Sequence, residues 1–174
     1  MSTHTQQSLE WTSIRVGDEI PPLDVPLTAS VIVAGAIASR DFMPVHHDLA
    51  YANKQGAPDI FMNILTTNGY VARFVTDWAG PHAQLKSISI RLGAPAMPGF
   101  LLRFTAVVQR TERQGDLGLV DIALRGATDI GDHVTGNVVL LLPASDRTRL
   151  GKAHQRDETI GLGLIVDVPR TVGG

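Results

Sequence analysis

The 174-residue chain has no cysteine. That absence removes a disulfide framework, a thiolate nucleophile and any zinc site built on thiolates. It fits a reducing cytoplasm, where the chain is expected to reside. Long apolar runs are missing too: residues 31–38 and 138–143 are the longest, far too short to span a bilayer. Residues 1–10 are polar and lack the apolar centre of a secretory signal. No excess of positive charge exists, the net charge being −2, and Lys and Arg are scattered. Neither nucleic acid nor a membrane surface is an expected partner.

Several sequence signatures are also absent. There is no Walker-type loop, no Gly-x-Ser-x-Gly elbow and no His-Glu-x-x-His. Gly161 and Gly163 lack the third glycine and the strand-then-helix setting of a dinucleotide fingerprint. His46 and His47 are adjacent, so their side chains diverge and make a poor metal face; no metal site is expected.

What remains is a soluble globular composition, 44% hydrophobic and 18% charged, of a length suited to one domain. Residues 1–10 read as a flexible arm, 11–143 as the domain and 144–174 as a tail, in which residues 161–168 are the one candidate strand. Residues 11–23 read as a turn-rich entry. Residues 30–39 read as a short helix that Thr28 or Ser30 can cap. Residues 48–55 read as another, with Asp48 at its start, Lys54 in its last turn and Gly56 as its stop. Helical spacing of apolar residues then runs over 60–79 and ends at Gly80 and Pro81. Gly69 in its middle costs roughly 1 kcal/mol against Ala, as if something approached there.

After Pro81 the period changes to two. Ile88, Ile90 and Leu92 alternate with polar neighbours, as do three further segments around Phe104, Ile122 and Val138. Helices first and antiparallel strands after them predict an α+β fold, with the sheet curled around the long helix.

The segment with chemistry in it joins Asp41 to His46 across Pro44. Pro44 holds Met43 extended, so the two side chains lie on separate limbs of a bend. Two readings stay open from these residues alone. Asp41 can bond backbone N–H groups in the turn and His46 can be a half-buried cap of the next helix, both ordinary structural jobs. Alternatively the pair shares and activates a water, help worth about 10²–10⁴-fold.

The order Asp41, Pro44, His46, Asp48, then Ala52 and Gly56, then a long helix entered through Ile60, Asn63 and Thr66, resembles the MaoC-type dehydratases, the R-specific enoyl-CoA hydratases. Residues 91–99 and 131–143 are similar to later parts of that family, so the likeness covers about residues 11–143. Residues 38–48, 59–67 and 73–81 are similar in particular to the small hydratase subunits of actinobacterial steroid side-chain degradation.

The resemblance implies a hotdog fold, an antiparallel sheet wrapped around a long central helix. It implies hydration of an α,β-unsaturated acyl-CoA, with a bulky steroid acyl group, no cofactor beyond the CoA of the substrate, and Asp41 and His46 as the acid–base pair. It places a backbone donor for the thioester oxygen at Asn63, and Met43, Pro44 and His47 against substrate. Met43 stands where the family has asparagine, Asn63 where it has glycine, and His47 where an apolar residue is commoner. A homodimer, or a heteromer with a larger MaoC-like subunit, is expected, since a hotdog sheet leaves an edge strand that pairing covers. The alternatives are a non-catalytic hotdog subunit that shapes a partner's site, and an acyl-CoA thioesterase. The second suits the helix poorly, because residues 60–76 hold no Asp, Glu or Gln.

Overall fold

The computed structural model describes residues 8–144 and the backbone of residues 163–166. Its order is a 3-10 turn Trp11–Ser13, β1 (Glu19–Pro26), α1 (Ala29–Ala38), a 3-10 turn Pro44–His46, α2 (Leu49–Lys54), α3 (Ile64–Ala79), β2 (Gln84–Leu92), β3 (Leu101–Gln114), β4 (Leu117–Thr128), β5 (Gly131–Pro143) and β6 (Gly163–Val166). The strands form one sheet in the order β1-β3-β4-β5-β2-β6. Every pairing is antiparallel except that of β6 with β2.

The α+β expectation holds, and the sheet curls over α3 as a hotdog. The face of α3 carrying Val71, Phe74, Val75 and Ala79 is buried, at the three- and four-residue spacing a helix needs to keep one side apolar. Phe74 and Tyr70 meet Phe104 of β3, with ring centroids 5.8 and 6.4 Å apart. Val120, Ile122, Val138 and Leu140 continue this core from β4 and β5.

Residues 11–23 are not merely a turn-rich entry, for β1 begins at Glu19. Pro21, Pro22 and Pro26 hide it from a sequence reading, because proline lacks the N–H a ladder requires. They are tolerated since β1 is an edge strand, bonded among the described residues only to β3, with a register shift between Ile20 and Leu23. The long helix is also shorter than its apolar period suggests. It starts at Ile64, and residues 60–63 form the extended approach to it.

The edge expected to be open is partly occupied. Gly163–Val166 pairs with Ser87–Ile90 on the outer side of β2. The strand reading within 161–168 is therefore met. Most of the expected N-terminal arm, and most of the expected tail, lie outside the described residues.

Candidate active site

Asp41 is aimed by the way α1 ends. Thr28 caps the start of that helix by accepting the Val31 N–H. At its other end Arg40 takes a left-handed conformation, φ 58°. The Arg40 N–H then bonds the Ile37 carbonyl, and the Asp41 N–H bonds the Ala36 carbonyl at 2.9 Å. This is a Schellman-type ending, normally made with glycine at the left-handed position. It turns the chain sharply and leaves the Asp41 carboxylate beside the helix it has just left.

The two oxygens of Asp41 divide its work. Oδ1 accepts the Met43 N–H at 3.3 Å, the turn role open from sequence alone. Oδ2 accepts the Asn63 amide at 2.9 Å and stands 3.4 Å from His46 Nε2. The Asn63 hydrogen bond holds the Asp41 pKa below its usual value; partial burial opposes it, and the Met43 N–H and His46 assist. Asp41 thus stays ionised.

His46 is buried, and its Nδ1 lies 2.7 Å from the Phe61 carbonyl. A carbonyl only accepts, so Nδ1 carries the proton and Nε2 is the nitrogen turned towards Asp41. The Phe61 ring meets the imidazole edge-on at 5.1 Å. His46 does not cap the following helix: Asp48 does, accepting the Tyr51 N–H.

Asn63 does more than its backbone. Its Oδ1 caps α3 by accepting the Thr66 N–H, while its Nδ2 donates to both Asp41 and Ser39 Oγ, each at 2.9 Å. The Met62 N–H is spent on the Ala96 carbonyl. Asn63 Oδ1 takes the Thr66 N–H and the Asn63 carbonyl takes that of Thr67, which leaves the N–H groups of Asn63, Ile64 and Leu65 at the start of α3 to meet an oxyanion.

Of the other expected contacts, Pro44 opens the 3-10 turn that carries His46, and Met43, extended as a residue before proline must be, is 54% exposed. His47 is exposed as well.

His133 is buried on β5. Its Nδ1 meets the Ala94 carbonyl at 2.8 Å and its Nε2 meets Thr67 Oγ1 at 2.9 Å, bracing the first turn of α3 from behind. Burial lowers its pKa, against the pull of the Ala94 carbonyl. Ser39, Phe61, Thr67 and His133 escaped the sequence reading as site supports, since only folding joins them. Among the described residues no group of three or more metal-ligating side chains comes together. No helix there is long and apolar enough to cross a membrane.

A sheet wrapped on one helix, with a carboxylate–imidazole pair held over the helix start, defines a hotdog protein of the hydratase type. The chain belongs to the MaoC-like hydratase family. It is 44% identical over 125 residues, 72% of its length and 94% of the relative's, to the 3-oxo-4,17-pregnadiene-20-carboxyl-CoA hydratase beta subunit of Mycobacterium tuberculosis. It matches a chain of the ChsH1-ChsH2 complex from the same organism with TM-score 0.69 and 42% identity, over 74% of this chain and 98% of that one. The R-hydratase PhaJ1 of Pseudomonas aeruginosa, 19% identical, shares the fold with TM-score 0.69 over 88% of this chain and 97% of its own. No family model matches the chain.

Proposed function

We propose that this chain is the dyad-bearing subunit of an enoyl-CoA hydratase acting on a bulky, ring-bearing acyl group. The observation that carries the reading is the pair itself. The Phe61 carbonyl fixes the His46 tautomer, and Nε2 faces an Asp41 carboxylate kept ionised by Asn63.

A water held between Asp41 Oδ2 and His46 Nε2 loses a proton to the pair as its oxygen bonds the β-carbon of the enoyl thioester. The double-bond electrons move onto the thioester oxygen, where the N–H groups of Asn63, Ile64 and Leu65 at the start of α3 stabilise the enolate. Collapse of the enolate takes a proton at the α-carbon, returned by the pair. Water is added across the double bond and no other reactant is consumed. The CoA thioester supplies activation, so no cofactor enters the scheme.

The substrate class follows the name of the mycobacterial relative, a hydratase of a steroid carboxyl-CoA and a beta subunit. A heteromer with a larger MaoC-like subunit is supported by the segments framing the dyad. Ile37, Phe42, Met43, Leu49 and Leu65 are exposed there, an apolar surface suited to a protein partner. Met43, Pro44 and His47 lie on the rim where substrate and partner would meet.

The test is hydration of an enoyl-CoA panel by the chain co-expressed with a larger MaoC-like subunit. Asp41→Asn and His46→Ala should each lower turnover at least about 100-fold with the fold retained. Near-normal turnover in either variant, with activity following the partner's own dyad, establishes the non-catalytic alternative instead. The thioesterase reading has less support, because the only acid on α3, Asp77, is at its far end and pairs with Arg73.

A further inference from the structure

A groove of about 350 Å³ runs between α1 and α3, beginning at Ser39 and ending at Arg73. Ser39 accepts from the same Asn63 amide that holds Asp41, so the groove starts at the support of the dyad. From Thr66 to Arg73 it follows two turns of α3, about 10 Å at the helical rise. Its walls expose far more carbon than polar surface, with Leu65 and Tyr70, five residues apart on the helix, flanking Gly69 from opposite sides.

Two glycines shape it, for different reasons. Gly35 on α1 is required by the fold, since a Cβ there would collide with the Thr66 side chain where the helices cross. Gly69 has no such reason. It is exposed in the middle of α3, nothing stands within 4 Å of where its Cβ would be, and its backbone is helical. A glycine at such a position weakens the helix and packs against nothing in this chain. Its effect is to keep the groove floor low next to Leu65 and Tyr70.

We infer that the groove is an acyl-binding site: it seats the rigid apolar body of the thioester, Gly69 forming its floor and Arg73 meeting a polar oxygen at the far end. The inference rests on the hydratase reading for the direction in which the acyl group leaves the dyad. The volume lies within the range of small-molecule pockets. Arg73 spends Nε on Asp77 at 3.2 Å, and the other nitrogens of its guanidinium can donate to a ketone or hydroxyl.

Binding of unreactive saturated thioesters separates this from catalysis. Calorimetry on the chain, alone and with its co-expressed larger subunit, compares a polycyclic acyl-CoA bearing a distal ketone with butyryl-CoA. Gly69→Leu should weaken the polycyclic ligand at least tenfold and leave butyryl-CoA within twofold. Arg73→Ala should weaken the ketone-bearing ligand and leave its deoxy analogue unchanged. Equal binding of the polycyclic ligand by the wild type and Gly69→Leu overturns the groove assignment, whatever the activity of the dyad. So does Gly69→Leu abolishing assembly with the larger subunit while ligand binding is kept, which makes the groove a protein interface. Selective weakening by Gly69→Leu without any hydration by the wild-type complex keeps the groove and removes the hydratase reading.

Discussion

The Asn63 amide nitrogen stands 2.9 Å from Asp41 Oδ2, so the residue that caps the central helix also holds the carboxylate of the dyad. Replacing it tests both roles together. Asn63→Ala should lose about 1 kcal/mol of helix capping, seen as a lower midpoint in urea. It also removes the largest influence lowering the Asp41 pKa, which then rises. A carboxylate with a lowered folded pKa stabilises the fold above its unfolded value and loses that contribution as pH falls through the folded value. The acid loss of stability, and the acid limb of hydration, should therefore begin at higher pH in the variant. An unchanged acid limb removes Asn63 from the control of Asp41.

His133 gives a separate dependence near neutrality. Its folded pKa is lowered from 6.5 by burial, so below that pH the unfolded chain binds the proton more readily than the folded one. Stability should fall as pH drops from about 6.5 towards the lowered value, and be insensitive to this group above it. Urea unfolding between pH 8 and pH 5 measures the slope. His133→Gln should be less stable at pH 8, having disturbed the contacts with Thr67 and Ala94, and should show a shallower slope.

Gly69→Ala should raise stability by about 0.5–1 kcal/mol, because alanine favours the helix and its methyl group meets nothing. The measurement is a denaturant midpoint. A fall in stability would mean that the glycine serves the fold itself.

Removing residues 145–174 takes β6 away from the outer side of β2. The opposite edge, β1, carries Pro21, Pro22 and Pro26 and is a poor template for pairing. The bared β2, nine residues without proline, should then recruit another strand. Light scattering after size exclusion should find more self-association in the truncated chain than in the full chain. Equal masses at equal concentration would show that β6 does not guard this edge.

Much of this architecture was written locally. Thr28, Asp48, Gly56 and Gly80 mark helix ends with their own chemistry, and each does so in the structure. The period-two segments became β2 to β5 because alternation records which face of a strand is buried. β1 was illegible, since its prolines are permitted only by its place at the sheet edge. Asp41, Pro44 and His46 were visible as a bend, and the family resemblance raised the dyad above the turn. Asn63 was read for its backbone, while its side chain proved to be what ties the bend to the helix.

By itself the sequence determined the elements, the bend and the absence of thiol chemistry, all properties carried by neighbouring residues. Only the tertiary structure decided that Asp41 Oδ2, His46 Nε2 and the Asn63 amide converge, and that Phe61 selects the imidazole tautomer. It alone buried His133 behind the helix start and left Gly69 without a neighbour. The reason is distance along the chain. Asp41 and Asn63 are 22 residues apart, and Thr67 and His133 are 66 apart, so no local periodicity or propensity encodes their contact. It forms only when α1, α3 and the sheet pack around one apolar core.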